Sequence, residues 1–365
     1  MKRRHFIKNT SAALSYGALV APFSGISATS TAKPIGVCLV GLGIYSRDLL
    51  APALQLTQHC KLTGIVTGTP AKIPVWQKMY NIPDKNVYNY NSIHQIADNP
   101  DIDVIYIVLP TGLHAEYAIK AAETGKHVWC EKPMAKTVAE CESIIKACNA
   151  NKVKLSIGYR MQHEPNTQQV IKWSQEKPYG TIKSLKAEAG YFDPNPLNSG
   201  WRLNKKLGGG PIYDMGVYPI NALRYASGME PIAVTAKHST KRDDVYTEVA
   251  ETTNFQLEFP DGITAEGGTT TGENVNILRI DCEKGWYELS PFQSYTGVKG
   301  KTSDGKILEA HKRNQQAQQM DDDALAIQNN TTVMVPGKNG LNDIAIVEAI
   351  NASAAQNGKR ITLSL

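Results

Sequence analysis

Residues 35–46 read IGVCLVGLGIYS. Six apolar residues in a row describe a strand buried on both faces, and the glycines Gly41 and Gly43 follow it at once. A strand that runs through such a turn into a helix has a specific use. Gly41 permits the tight turn, and Gly43 lets another molecule approach the backbone. The helix N-terminus then offers free N–H groups and the positive end of its dipole. That combination suits a pyrophosphate. Ser46 stands where the third glycine of a dinucleotide fingerprint falls, and it is still small. A second apolar run, KLTGIVTG, comes about twenty residues later, which favours a dinucleotide site over an ordinary glycine turn.

The end of that second strand selects the dinucleotide. An NAD site places an acid there for the ribose 2′-hydroxyl. Here the chain reads Thr67-Gly68-Thr69-Pro70-Ala71-Lys72, with two hydroxyls, a lysine and no acid. A 2′-phosphate fits this segment, so NADP is favoured over NAD.

Outward from this turn the first half keeps alternating. DVIYIVLP, HVWCEKP and KLSIGYR are short strand patterns, and LHAEYAIKAAET is a helix closed by Gly125. Thr137 with Glu140 forms a capping box ahead of a helix whose apolar stripe is Val138, Cys141, Ile144, Ile145 and Cys148. Strand–helix alternation implies a parallel sheet covered on both faces. After about residue 156 long alternating runs take over: KSLKAEAGYF, PIAVTAKHST, ETTNFQLEF, ITAEGGTTT and NILRID. DG at 261–262 and KG at 284–285 read as hairpin turns. A largely antiparallel second sheet follows, and then a last helix, LNDIAIVEAINASAAQ, capped by Asn357-Gly358. The expected organisation is an α/β chain. Residues 33–156 form a nucleotide-binding domain, and residues 157–365 form an α+β domain with a large open sheet.

Glu131-Lys132-Pro133 ends a buried strand at the carboxyl edge of the first sheet, where open α/β sheets bind ligands. A lysine there can stabilise a developing alkoxide. Residues 208–219 read GGGPIYDMGVYP; the three glycines bring backbone close to something. Asp214 and Tyr218 are four apart and share a face if the segment is one helix. A phenol beside a lysine can transfer a proton, since the ammonium favours the phenolate.

With these pieces in order, the chain resembles the glucose–fructose oxidoreductase and inositol dehydrogenase (Gfo/Idh/MocA) family, within it the exported glucose–fructose oxidoreductase branch. The resemblance runs from about Ile35 to the C-terminus. It is carried by GLGIYS, SIHQIADNPDIDVIYIVLPTGLHAEYAIKAAETGKHVWCEKPMA, IGYRMQHEPN, WRLNKKLGGGPIYDMGVYPINALRY and the closing helix. It implies a Rossmann domain followed by an open-sheet domain that also mediates oligomerisation, as a dimer or tetramer, with the last helix packing back near the first domain. It implies a catalytic pair, Lys132 and Tyr218, supported by Asp214; a tyrosine at 218 is the pattern of the glucose–fructose branch. It implies cofactor contacts from Gly41, Leu42, Gly43, Ile44, Tyr45, Thr67, Gly68, Lys72, Tyr90, Leu109, Pro110, Thr111, His114, Glu131 and Lys132. Tyr159, Arg160, Trp201 and Arg202 would line the sugar and cofactor pocket, Tyr159, Arg160 and Tyr218 on the sugar side. Two features depart from the family. Thr111 stands where asparagine is frequent, and the arm before the first strand, which helps trap the cofactor in exported relatives, amounts here to the few residues from Lys33, or from the mid-twenties if cleavage is earlier. Loops 191–206 and 286–300 shape the pocket.

The start of the chain is read separately. KRRHFIK at 2–8, the apolar SAALSYGALVAPF and the small residues to Ala32 have the layout of an export signal, with paired arginines of the twin-arginine type and cleavage expected after Ala32. Without the four basic residues of this leader, 35 basic residues face 34 acidic ones. That balance removes any argument for nucleic acid or an anionic membrane as a partner. Cys38, Cys60, Cys130, Cys141, Cys148 and Cys282 form no CxxC pair or metal-like cluster, and read as buried free thiols. The expectation is a periplasmic or secreted enzyme moving hydride between a sugar and tightly held NADP, one sugar oxidised as another is reduced. Two alternatives remain: an exported glycosidase that uses a bound dinucleotide transiently, and a non-catalytic sugar-binding protein. The Lys132–Tyr218 pair argues against the second.

Overall fold

Six strands carry the nucleotide-binding half: β1 (Ile35–Val40), β2 (Cys60–Val66), β3 (Val87–Tyr88), β4 (Val104–Ile107), β5 (His127–Cys130) and β6 (Leu155–Ile157). They stand in the order β3-β2-β1-β4-β5-β6 and every pair is parallel. The computed structural model describes residues 33–365; the export signal read at 1–32 lies outside them. All of β1 is buried, and its side chains alternate between two apolar clusters, Val37 and Leu39 in one, Cys38 and Val40 in the other. The strand order reverses between β1 and β4, so a crevice opens at their carboxyl ends.

Helices cover both faces. A single wide turn, Ser46–Leu50, continues into α1 (Ala51–Ala53), and with α2 (Ile73–Tyr80) it packs on one face. On the other lie α3 (His114–Glu123) and α4 (Val138–Ala150). Thr137 Oγ1 accepts the Glu140 N–H at 3.2 Å, and the Glu140 carboxylate accepts the Thr137 N–H at 3.3 Å. A cap of this kind is worth about 1 kcal/mol.

The second sheet has nine strands: β7 (Ile182–Gly190), β8 (Ala233–Ser239), β9 (Thr252–Glu258), β10 (Thr264–Thr270), β11 (Val275–Cys282), β12 (Gly285–Leu289), β13 (Gly300–Thr302), β14 (Ile307–Leu308) and β15 (Ile361–Thr362). Their order is β14-β13-β12-β11-β7-β10-β9-β8-β15; β7–β10 is parallel and the other pairs are antiparallel. Asp261 and Gly262, both at positive φ, turn the chain between β9 and β10. The inner face of β7 buries Ile182, Leu185, Ala187 and Ala189. Helices α5 (Pro165–Glu176), α6 (Pro211–Asp214), α7 (Val217–Ser227), α8 (Gln315–Gln328) and α9 (Gly337–Ala355) complete the chain. Of these, α7 lies on the inner face and α9 runs between the two sheets, contacting α4, β6 and β8.

Two expectations need correction. Residues 211–219 are not one helix. The chain breaks at Met215-Gly216, where a Cβ on Gly216 would meet the Ile212 carbonyl at 2.7 Å. Asp214 therefore ends α6 while Tyr218 lies in the first turn of α7. The last helix begins at Gly337 and not Leu341; Gly337 and Gly340 let its first turn lie against Leu155, Met134 and Ile157. Helix α8 has no counterpart in the sequence pattern. Its Ala317, Met320 and Ala324 belong to the apolar cluster under the first sheet, beside Val37, Leu39 and Trp129. All six cysteines are free, five of them buried.

Candidate active site

The glycine turn is built for a neighbour that the protein itself does not provide. Gly41 has φ +94°, and a Cβ there would lie 2.3 Å from the Val108 carbonyl oxygen, so the turn needs glycine for its own sake. Ser46, fully buried, donates to the Gly41 carbonyl at 2.6 Å and fills the place of the third glycine. Gly43 is different. Its φ lies outside the left-handed range, and a Cβ would meet nothing within 4 Å. Ile44 beside it is 71% exposed. Room kept over a helix start, with an apolar edge in solvent, fits the phosphates and sugar of a dinucleotide.

The end of β2 closes on this turn. Lys72 Nζ donates to the Leu42 carbonyl at 2.7 Å, which brings its charge to the glycine turn rather than into open solvent. Thr67 is buried and its hydroxyl accepts the Thr69 N–H. A Cβ on Gly68 would touch the Tyr90 ring, itself packed on Tyr117. Leu109, just past β4, packs against the glycine turn, its Cδ2 2.7 Å from where a Cβ on Gly41 would fall, and Pro110 leads into the Thr111–Leu113 turn. Two more residues of the expected cofactor set, Thr111 and His114, are buried in the crevice wall. Thr111 sits under Gly208. His114 places Nε2 2.7 Å from the Leu109 carbonyl and Nδ1 2.8 Å from the Pro133 carbonyl, bracing the ends of β4 and β5 against each other. Burial lowers its imidazole from the ordinary range against the pull of those carbonyls.

Lys132 projects from the end of β5 into the second domain. Its Nζ lies 4.5 Å from the centroid of the Tyr218 ring and donates to the Asp214 carbonyl at 2.8 Å. The α6–α7 break exposes that carbonyl. Burial works against the ammonium, but Tyr218, Asp214 and Glu131 outweigh it and raise its pKa, so it keeps its proton. The Asp214 carboxylate accepts Arg202 Nε at 2.7 Å. Burial would lift it, yet Arg202 and Lys132 hold it below the usual carboxylate range. Arg202 also lies over Trp201, 5.0 Å from the ring centroid. Glu131 faces inward and accepts the Tyr106 hydroxyl at 2.7 Å; burial pushes its pKa up.

The far wall comes from the strand end after β6. Tyr159 meets Tyr218 edge to face, with ring centroids 6.5 Å apart. Arg160 is fully buried, and its guanidinium carbon is 5.5 Å from the Tyr218 centroid. Two cations thus face one phenol ring. Among the described residues no group of three or more His, Cys, Asp or Glu could hold a metal ion, and no helix is long and apolar enough to cross a membrane.

The family model described as an oxidoreductase family with an NAD-binding Rossmann fold matches residues 35–159, and the Gfo/Idh/MocA C-terminal domain model matches residues 167–288. The chain belongs to the Gfo/Idh/MocA oxidoreductase family. Among solved members, an aldose-aldose oxidoreductase from Caulobacter crescentus, crystallised with glycerol, is 36% identical and superposes with a TM-score of 0.86 over 91% of this chain and all of that one. A D-xylose 1-dehydrogenase [NADP(+)] from Haloarcula marismortui is 25% identical over 348 residues, 91% of this chain and 95% of the relative. A levoglucosan dehydrogenase solved with NADH and levoglucosan, 21% identical with a TM-score of 0.79, shares the fold. This Gfo/Idh/MocA member also carries a residue that sequence reading did not single out. Tyr295, in the loop after β12, stacks on Arg160 with the guanidinium carbon 4.5 Å from its ring centroid. The loop is one of the two expected to shape the pocket, but nothing in PFQSYTG says which side chain turns inward.

Proposed function

We propose that this oxidoreductase is exported by the twin-arginine route and moves hydride between sugars and a tightly held NADP, oxidising one sugar and reducing another. The observation that carries the reading is the Lys132–Tyr218 stack, 4.5 Å from ammonium to ring centroid, at the mouth of the dinucleotide turn. The Gly41–Tyr45 turn and Lys72 would hold the cofactor, which supplies hydride acceptance and donation. NADP is supported by the acid-free end of β2 and by the NADP-named xylose dehydrogenases of two haloarchaea. Sugar-to-sugar coupling is supported by the relative named as an aldose-aldose oxidoreductase.

Tyr218 removes the proton of a sugar hydroxyl as that carbon loses hydride, and returns a proton to the carbonyl of the second sugar. Lys132 keeps a positive charge beside the oxyanion in both directions. Arg202 and Asp214 fix each other next to this pair. Copies of the chain would associate through the outer face of the second sheet, where Arg279 lies 3.8 Å from the Trp286 ring centroid.

The test is a purified protein given sugar pairs without added cofactor. Lactone and alditol should form in equal amounts with ping-pong kinetics, and Tyr218→Phe should cut turnover by about 10²-fold or more with NADP still bound. Near-normal turnover in that variant removes the assigned role. Free sugar released from a glycoside with no net redox change points to the glycosidase instead.

A further inference from the structure

We infer that Tyr295 closes the cleft over the bound dinucleotide and sets how slowly it leaves. The inference rests on the NADP reading above and names the part of the chain that retains the cofactor.

Tyr295 lies in residues 290–299, between β12 and β13, and this segment is fastened at several points. The Asn276 side-chain oxygen, on β11, accepts the N–H groups of Phe292 at 2.9 Å and Gln293 at 3.0 Å, and its amide donates to the Gln293 carbonyl. Phe292 is fully buried. The Ser294 carbonyl accepts Arg160 Nη1 at 2.9 Å, and the same nitrogen donates to Gln315 of α8. A loop pinned in this way presents the next residue at a fixed place.

That place spans the crevice. On one side the Tyr295 ring lies 4.5 Å from the Arg160 guanidinium carbon, and the Tyr218 ring lies 5.5 Å from that carbon. On the other its centroid is 6.1 Å from the ring of Tyr45, at 37°. Tyr45 belongs to the glycine turn of the first domain, so the Tyr45–Tyr295 contact joins the loop of one sheet to the phosphate turn of the other. The Tyr295 phenol is also within electrostatic reach of Tyr218, Lys132, Arg160 and Glu131. A dinucleotide held at the Gly43 gap with its reacting end at Lys132 would run alongside this ring, which touches the turn at Tyr45 and carries Lys132 among its charged neighbours. Tyr295 nonetheless stays 44% exposed. Arg160, fully buried, leaves Nε and Nη2 without a hydrogen-bond partner. The guanidinium is therefore held on those sides by ring faces, an attachment that can open and re-form without leaving a broken hydrogen bond.

Release of the cofactor then requires Tyr295 to leave both Arg160 and Tyr45. The test uses the holoenzyme reduced with sugar and mixed with excess NADP+, following the loss of NADPH fluorescence. Tyr295→Ala and Asn276→Ala should each release NADPH about tenfold faster or more, whereas Tyr295→Phe, which keeps the ring, should release it near the wild-type rate. Thermal unfolding checks that each variant is folded, and sugar KM is measured alongside. A folded Tyr295→Ala protein with wild-type release overturns the inference, as does one whose sugar KM alone rises, because the ring is then a sugar platform. A wild-type protein that holds no NADP(H) defeats the dinucleotide reading itself; one that holds it while Tyr295→Ala releases no faster defeats the clasp alone.

Discussion

Gly41 and Gly43 are two residues apart, and the structure assigns them opposite sensitivities. Alanine at 41 meets two obstacles: φ +94°, and a Cβ 2.3 Å from the Val108 carbonyl oxygen. A left-handed backbone costs an L-residue about 1–2 kcal/mol, and forcing a carbonyl aside adds about 1–3 kcal/mol. Gly41→Ala should therefore lose roughly 2–5 kcal/mol of stability, read as an earlier urea midpoint with an unchanged slope. Alanine at 43 meets nothing within 4 Å and needs no unusual dihedral. Gly43→Ala should leave stability unchanged or raise it by about 0.4–1 kcal/mol, through the lower entropy of the unfolded chain. Its cost falls on the ligand. The methyl group occupies the space kept for the pyrophosphate, so NADP affinity by fluorescence titration should drop about tenfold or more. A Gly43→Ala protein that binds NADP as tightly as wild type would refute the placement of the cofactor. One that is destabilised as much as Gly41→Ala would refute the reading of the turn.

Two further outcomes follow from single contacts. Lys72 reaches the glycine turn through the Leu42 carbonyl, so Lys72→Met should weaken NADP about tenfold while changing NAD binding little; an equal loss for both dinucleotides means that the lysine is not near the 2′-phosphate. Asp323, buried on α8 beside His163, Asp322 and Ser156, has its carboxyl pushed up to about 6 by burial. The unfolded chain loses this proton near pH 3.9, so stability falls as pH rises from about 4 to 6, by about 3 kcal/mol at most. Asp323→Asn should accordingly be more stable than wild type in urea at pH 8 and no more stable at pH 4; an equal change at both pH values means that the carboxyl does not titrate there.

The glycine turn, the parallel strands and the capping box were legible because each is decided locally. Gly41 follows six apolar residues, and Thr137 stands three before Glu140. What escaped was set by distant partners. Helix α8 reads QQAQQMDDDALAIQ, with little apolar periodicity, because much of its buried side is polar: Gln319 donates to the Tyr106 hydroxyl, and Gln315 accepts from Arg160. The break between Asp214 and Tyr218 brings Gly216 against the Ile212 carbonyl, a close approach open to glycine that no helix propensity encodes. The carbonyl that this break frees is the one that receives Lys132, so the pairing of Lys132 with residues 214 and 218 was readable while its geometry was not. Tyr295 was hidden for the same reason, its position being fixed by Asn276 on a neighbouring strand.

Helix α8 has a consequence for synthesis. The floor of the first sheet is finished by Ala317, Met320 and Ala324, and the Asp321 carboxylate accepts the backbone N–H groups of Gln58 and His59 just before β2. A ribosome therefore emits the whole nucleotide-binding sequence long before the residues that seal it. The nascent first half must wait with part of one apolar face uncovered until residue 328 emerges, so a fragment ending near residue 156 is expected to aggregate, and assembly of the holoprotein to be a post-translational event.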